Sequence, residues 1–249
     1  MLTDWSAECG HDDPVLVVPW SDPGNPAVHF VDLREHPYDV ESLPEAVEYP
    51  PLARSLRALN GSRSPVFTAK CDVSAIAAAD WDAEARNQLD YLHLHLDRIA
   101  EETPAAFVSY IDIVSRDRAI FASRHRQQQM LDCICHRAAM LDHPYAMLEL
   151  VLRPAIVDFT ETQEGFAFSL YIKALGHDVQ SAEDHWAEAL KSVTAILRSK
   201  AFSLPLTAVH CHLCGSMKQD CTRLMRTSAR AVTIRKATHE EIGAGSSIG

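Results

Sequence analysis

The chain has 249 residues, of which 47% are hydrophobic, and its formal net charge at pH 7 is −11. A chain of this length and composition can bury a sizeable core, in one large domain or in two small ones. The negative charge argues against general nucleic-acid binding, because a nucleic-acid-binding surface must be positive to displace counterions from phosphates.

The charge is distributed unevenly along the chain. Residues 1–54 contain eleven acids and two arginines, whereas residues 215–236 contain six basic residues and one acid. A basic segment beside an acidic body predicts either docking, on the protein itself or on a neighbouring subunit, or a solvated tail.

Two features predict a cytoplasmic location. No run approaches the ~18 apolar residues that a membrane helix requires, and the first apolar run, VLVVPW, follows acids rather than the basic residues of a signal peptide. Seven cysteines are an odd number in a chain too long to need disulfides, so we interpret them as reduced thiols.

Residues 1–103 are predicted to form an N-terminal α/β half that packs on, or extends, the sheet of the second half. VLVVPW and AVHFVDL have the composition of two strands joined by the turn SDPGNP. YPPLARSLRALN predicts a short helix that ends at Gly61. VFTAKCDV predicts a strand, and the amphipathic residues 80–100 that follow it predict a long helix.

Residues 105–213 show the order strand, helix, strand, strand, helix, strand. The strands are FVSYIDIV, MLELVLRPAIV, FAFSLYIKAL and SLPLTAVHCHL, and the helices are SRHRQQQMLDCICHRAAML and SAEDHWAEALKSVTAILRSK. This is the split βαββαβ order of ferredoxin-like folds. The predicted fold class is therefore α+β, a mainly antiparallel sheet with long helices on one face. Residues 104–236 are taken as this second half with its basic C-terminal segment, and residues 237–249 as a flexible tail.

The last helix has a clear buried stripe. Trp186, Leu190, Val193 and Leu197 recur at helical spacing, and Ser181 with Asp184 resembles a capping box at its start.

Strand alternation sorts the side chains between two faces of the sheet. In VFTAKCDV it places Phe67, Ala69, Cys71 and Val73 on the apolar face, and Thr68, Lys70 and Asp72 on the other. The strands of the second half carry ionisable or aromatic residues on that other face, namely Tyr110, Asp112, Glu149, Arg153, Tyr171 and Lys173. We call these residues, with Lys70 and Asp72, the polar sheet face.

Three interpretations of the polar sheet face remain open from the sequence. The face could simply be solvated, as is common for a sheet covered on one side only. Tyr110 and Tyr171 favour a homodimer interface, since large aromatics are enriched where proteins meet. A small-molecule site is the third interpretation, with Lys70, Asp72 and Asp112 as candidate catalytic residues. In that site the two carboxyl groups would share a proton beside the lysine, and Tyr110, Glu149, Arg153, Tyr171 and Lys173 would bind the ligand.

The segment VHCHLCGSMKQDC, residues 209–221, concentrates histidines and cysteines. On a strand, His210 and His212 share a face with Cys214 just beyond its end, which is a candidate set of zinc ligands. The same residues are also consistent with a redox pair, Cys211 and Cys214, or with purely structural thiols and imidazoles. P-loop, dinucleotide-binding, HExxH and GxSxG signatures are missing, so the sequence leaves open whether the protein is an enzyme.

The stretches VPWSDP (18–23) and NGSRSPVFTAKCDV (60–73) resemble segments of uncharacterised phage-related conserved hypothetical proteins of bacteria. The resemblance implies a bacterial, mobile-element context and transfers no catalytic residue. Together with the polar sheet face it predicts a cytoplasmic, dimerising interaction protein. The alternative is a small-molecule enzyme or binding module on the same face, with a divalent metal.

Overall fold

The structure, a computed structural model, describes residues 1–76 and 105–199. The predicted helix of residues 80–100, the predicted strand of residues 206–213 and the basic segment of residues 215–236 lie outside the described residues. So does the tail of residues 237–249.

Eight strands and six helices make up the described part of the chain. The strands are β1 (Leu2–Ala7), β2 (Leu16–Val18), β3 (Ser21–Asp22), β4 (Asn25–His29), β5 (Val66–Ile76), β6 (Ala105–Ser115), β7 (Ala146–Asp158) and β8 (Thr162–Gly176). The helices are a 3-10 helix (Pro37–Ser42), α1 (Pro44–Glu48), α2 (Pro50–Asn60), α3 (Arg118–Phe121), α4 (Arg124–Ala139) and α5 (Val179–Leu197).

Six of the described strands form one mixed sheet with the order β1-β7-β8-β6-β5, and β2 pairs with β7 beyond the end of β1. The β7–β8, β8–β6 and β6–β5 pairs are antiparallel, whereas β1 and β2 run parallel to β7. Strands from the first half of the chain therefore occupy both edges of this sheet. The fold class is α+β, as the sequence predicted.

The ferredoxin-like order is not confirmed. The described residues do contain a split β-α-β unit, because β6 and β7 are joined through α4 and β8 lies between them. In a ferredoxin-like sheet the last strand would pair beside β6. Here β5 occupies that place, and residues 206–213 lie outside the described part of the chain.

The main core lies between the sheet and the helices α2, α4 and α5. At its centre the indole of Trp186 is fully buried, packs with its ring centroid 4.7 Å from that of Phe107, and donates a 2.7 Å hydrogen bond to Ser109 Oγ. The predicted stripe of α5 is confirmed, since Leu190, Val193 and Leu197 are buried as well as Trp186. Burying each such side chain stabilises the fold by about 1.5–3 kcal/mol.

The start of α5 differs from the prediction by one turn. Asp178, not Ser181, is the N-cap: its carboxylate accepts the Ser181 backbone N–H at 2.7 Å, and Ser181 Oγ accepts the Asp178 N–H at 3.1 Å. The chain reaches this cap through Gly176. A Cβ atom at Gly176 would collide with Ser181 and Ala182, so the close approach of β8 to α5 requires glycine there.

A β-bulge in β5 overturns part of the predicted face assignment. The β5–β6 register shifts between Thr68 and Cys71, so that Ala69 and Lys70 together stand opposite Asp112. Phe67 and Ala69 were predicted on the helix-covered face with Cys71 and lie instead on the opposite face.

Thr68 was predicted on the polar side and instead faces the helices. Its backbone N–H donates to Asn60 Oδ1 at 3.1 Å, and its hydroxyl accepts from Asn60 Nδ2 at 2.6 Å. On the other face Trp20 Nε1 donates to the carbonyl of Ala69 at 2.8 Å. Residues from both faces of the sheet thus form hydrogen bonds with the polar groups of Thr68 and Ala69 beside the bulge.

The second face of the sheet is not polar throughout. A smaller cluster, which we call the minor core, covers one end of it and consists of Val18, Phe67, Ala69, Val114, Phe121, Ala155 and Ala167. Val18 comes from β2 and Phe121 from α3, so segments that the sequence did not place over this face shield it from water. The polar sheet face occupies the remainder.

Candidate functional site

The predicted residues of the polar sheet face lie on one surface. Asp72, Tyr110, Tyr171 and Glu149 occupy successive cross-strand positions on β5, β6, β8 and β7 and form one row across four strands. Asp112 and Ser169 are paired in the next row. Alternation within each strand and the register between strands together produce this convergence.

The two tyrosines form the aromatic centre of the face. The rings of Tyr110 and Tyr171 lie 5.8 Å apart between centroids at an angle of 35°. Burial raises the pKa of the Tyr110 phenol well above its ordinary value, and the nearby Asp112 and Asp72 act in the same direction. Tyr110 therefore stays neutral at physiological pH and serves as a packing and hydrogen-bonding group, not as a base.

Arg153 is the hub of the polar contacts. Its Nε donates to Glu8 Oε2 at 2.9 Å, and its Nη1 donates to Ser169 Oγ at 2.8 Å and to the Tyr171 hydroxyl at 3.5 Å. Burial lowers the pKa of Arg153, but Tyr171 and Glu8 outweigh it and raise that pKa above its ordinary value. A permanently charged guanidinium thus joins β1, β7 and β8 on this face.

Asp112 is the buried acid of the site, with only 6% of its surface exposed. Ser169 Oγ donates a short hydrogen bond to its carboxylate. Burial raises the pKa of Asp112, and the hydrogen bond from Ser169 with the charges of Arg153 and Lys70 offsets this only in part. Asp112 therefore holds its proton to a higher pH than an ordinary aspartate, as a group in acid–base chemistry would.

The structure does not bring Asp72 and Asp112 into hydrogen-bond contact within the described strands. Asp72 is exposed, its Oδ1 accepts the Val73 N–H at 2.8 Å, and its cross-strand neighbour is Tyr110. The bulge places Lys70 beside Asp112 instead. Lys70 lowers the pKa of Asp112, as its predicted electrostatic role requires, and its Nζ lies 5.3 Å from the centroid of the Trp20 ring.

The charges at the other end of the face are compensated within the chain. Lys173 Nζ forms a 3.1 Å ion pair with Glu149 Oε2, and both side chains are largely buried. Lys70 and Asp72 are the exposed charges of the face, and neither forms an ion pair with any residue in the described ranges.

The predicted zinc ligands His210, His212 and Cys214 lie outside the described residues. Within residues 1–76 and 105–199, no group of three or more His, Cys, Asp or Glu side chains is arranged to hold a metal ion. Of the two cysteines of α4, Cys135 is buried and Cys133 is partly exposed.

Two features, one in the polar sheet face and one at the end of the sheet, were not predicted from the sequence. Glu8 follows β1, a strand whose short sequence LTDWSA gave no strong periodic signal. A cavity of about 270 Å³ lies where β6 and β7 end, and Arg34, Arg116 and Arg118 contribute to its lining. The segment RDRAIFASRHR, residues 116–126, has four arginines and one acid in a chain whose net charge is −11. That local excess of charge was the signal for it.

Comparison with protein-family models, with curated proteins and with solved structures gave no match to this chain. Among the helices of the described residues, none combines the length and the apolar character needed to cross a bilayer.

Proposed function

We propose that the protein is a cytoplasmic interaction protein of phage-related origin that forms a homodimer through the polar sheet face. The observation that carries the proposal is a row of four residues across four strands, with a tyrosine pair at its centre and charges of opposite sign around it. The resemblance of residues 18–23 and 60–73 to phage-related proteins supports the origin. The reduced state expected of the cysteines supports the compartment.

Charge balance favours a copy of the same chain as the partner. The ion pairs Glu8–Arg153 and Lys173–Glu149 cancel within the chain, and the exposed Lys70 and Asp72 cancel each other in sum. A surface on which both signs are present can be complementary to itself across a two-fold axis. In such a dimer Lys70 of one protomer pairs with Asp72 of its partner.

The tyrosine pair supplies the apolar part of the proposed interface. Tyr110 and Tyr171 are half-buried in the chain, so they already have restricted rotamers and lose little entropy when a partner covers them. Tyrosine is enriched in interface centres because it combines a large apolar ring with a hydrogen-bonding hydroxyl.

A charge swap tests the proposed dimer. Wild-type protein should be dimeric at micromolar concentration, and should stay dimeric in about 0.5 M salt because a buried aromatic contact resists screening. Asp72→Lys should give a monomer, since it places two lysines opposite two lysines. The double variant Lys70→Asp with Asp72→Lys should restore the dimer. Asp39→Lys, an exposed acid on the 3-10 helix, is the matched control for net charge.

Sedimentation velocity distinguishes this dimer from one made by the basic segment. A dimer that dissociates at high salt and is lost on truncation after Ser216 would assign the contact to residues 215–236, docked on the acidic residues 1–54. A wild-type protein that is monomeric in low salt at high concentration would contradict both forms of the proposal.

A small-molecule site centred on Asp112 is the second candidate function. It is favoured by the buried carboxyl group, whose pKa is raised and which lies beside Arg153 and Lys70. Thermal-shift measurements on wild-type and Asp112→Asn protein, with a panel of small amines, carboxylates and divalent metals, test it. Stabilisation of the wild type alone would support a ligand site. Equal responses of the two proteins would contradict it.

A further inference from the structure

A cavity at the end of the sheet brings arginines and aromatic rings together, away from the row of polar-face residues. Its volume is about 270 Å³. The residues that matter are Arg34, Arg116 and Arg118, which supply guanidinium groups, and Phe67, Phe121 and Phe159, which supply rings. We call it the arginine cavity. It forms where β5 begins, where β6 and β7 end, and where the β7–β8 turn and α3 close over that end of the sheet.

Arg34 is held in place before any ligand arrives. Its guanidinium carbon lies 3.7 Å from the centroid of the Phe159 ring and 4.6 Å from that of Phe67. Its Nε and Nη2 donate to the two carboxylate oxygens of Asp32 at 2.9 Å and 2.6 Å. Ring contacts and a bidentate pair thus fix the side chain, so little rotamer entropy remains to be lost on binding.

The other two arginines carry positive charge that no acid of the described residues pairs with. Arg116 donates from Nε to the carbonyl of Val66 at 3.1 Å and from Nη2 to the carbonyl of Asn60 at 2.9 Å, and both acceptors are uncharged. Arg118 is exposed. Neither arginine forms an ion pair within residues 1–76 and 105–199.

The acids close to the cavity do not remove this excess. Asp32 is engaged by Arg34, and the Asp117 carboxylate caps α3 by accepting the backbone N–H groups of Ala119 and Ile120. Glu161 is the acidic residue in the lining, against the guanidinium groups of Arg116 and Arg118, since Arg34 is paired with Asp32. Burial lowers the pKa of Arg116 and the charge of Arg34 lowers it further, and the acids Asp32 and Glu35 offset these effects only in part. An anion placed between Arg34 and Arg116 would relieve the repulsion between the two guanidinium groups.

We propose that the arginine cavity binds a small aromatic anion, in which one phosphate or carboxylate group is attached to a single ring. Guanidinium groups bind both anions through paired, planar hydrogen bonds. Phe159, 38% exposed at the wall, offers an apolar surface to the ring of the ligand. The volume lies just below the ~300–1,000 Å³ of typical ligand pockets, which limits the ligand to about one ring.

Calorimetric titration of the whole chain with four probes tests the proposal: phenyl phosphate, benzoate, inorganic phosphate and phenol. We expect phenyl phosphate or benzoate to bind at least about tenfold more tightly than inorganic phosphate and than phenol, because only the aromatic anions use both halves of the cavity. The stronger of the two aromatic anions identifies the anionic group as phosphate or carboxylate. If inorganic phosphate binds as tightly as the better aromatic anion, the proposal that the ligand carries an aromatic ring is wrong. If neither aromatic anion shows saturable binding, the whole proposal is wrong.

Three variants locate the site. Arg118→Gln should weaken the better aromatic anion at least about fivefold through loss of a charged hydrogen bond. Phe159→Leu should weaken the aromatic anion and leave inorganic phosphate unchanged. Arg126→Gln removes an exposed arginine of the same basic segment from outside the cavity lining, and should have no effect. Equal weakening by Arg118→Gln and Arg126→Gln would show a general charge effect and overturn the proposal. Circular dichroism and sedimentation of each variant separate this result from loss of folding or of the dimer.

Discussion

The hub role of Arg153 leads to a prediction in which stability depends on pH. Arg153→Met keeps an unbranched stem like that of arginine but removes the guanidinium, and with it the hydrogen bonds to Ser169 and Glu8 and the positive charge beside Asp112. Hydrogen bonds to charged groups contribute about 1.5–3 kcal/mol, and removing one partner of a fully buried ion pair costs about 3–5 kcal/mol. The Glu8 side chain is 42% exposed and regains water, so the cost lies below that range. We expect a loss of about 2–3 kcal/mol in the free energy of unfolding near neutral pH.

The pH dependence follows from the raised pKa of Asp112. A carboxyl group with a raised folded-state pKa contributes its full stability below its unfolded pKa and loses it as the pH rises through the folded pKa. Removal of Arg153 raises the pKa of Asp112 further, because an opposite charge is lost. The variant should therefore lose less stability near pH 4 than near pH 7.5, because a larger fraction of Asp112 is protonated at the lower pH. Asp112→Asn in the same chain should recover part of the loss near pH 7.5, since an amide needs no counter-charge.

Urea denaturation followed by tryptophan fluorescence measures these differences at the two pH values. Arg57→Met is the matched control, because Arg57 pairs with Glu41 at 3.1 Å with both side chains well exposed. Its loss should stay below about 0.5 kcal/mol at either pH. An equal loss for Arg153→Met at both pH values, or no recovery with Asp112→Asn, would refute the assigned link between Arg153 and the buried carboxyl group.

Three further predictions concern other parts of the chain. Gly176→Ala should lower the urea midpoint markedly, because the added Cβ collides with the first turn of α5; an unchanged midpoint would mean that β8 and α5 are not in such close contact. Burial raises the pKa of the Cys71 and Cys135 thiols to about 12. At pH 8 these cysteines should therefore react with iodoacetamide far more slowly in native protein than in unfolded protein, as measured by mass spectrometry. Rapid labelling of either cysteine in native protein would contradict its packing. If His210 and His212 hold zinc, protein purified without chelator should contain near-stoichiometric metal by plasma mass spectrometry. Replacing both histidines by alanine should remove the metal and leave the fold intact. Purified protein that contains no metal, and whose stability does not change in chelator, would contradict the zinc hypothesis.

Local patterns were enough to predict the central strands and the long helices. The apolar stripe from Trp186 to Leu197 correctly predicted the buried side of α5, because residues that recur at the helical period lie on the same side of a helix. Alternation placed Tyr110, Tyr171 and Arg153 on a common face, because the pleat in β6, β7 and β8 is regular over these residues. A short connection between two strands, as between β7 and β8, also predicts that they pair with each other in the sheet.

Features that depend on distant segments could not be predicted in this way. The bulge at Ala69 and Lys70 exchanges the faces of Phe67 and Thr68, and the partners beside it, Trp20 and Asn60, lie elsewhere in the sequence. The N-cap of α5 was missed because Asp178 precedes the periodic residues that marked the helix. The minor core was missed because its members come from five strands and a short helix, each of which contributes only one or two apolar side chains.

The parallel pairing of β1 with β7 has a consequence for the order of folding during synthesis. Leu2 pairs with Met147, so β1 is synthesised long before β7, the strand with which it pairs. At ~5–20 residues per second, β1 waits on the order of ten seconds before β7 emerges. During that time LTDWSA, with the indole of Trp5, is nascent chain without its sheet. The edge of the sheet formed by β1 can therefore close only after β7 has been made.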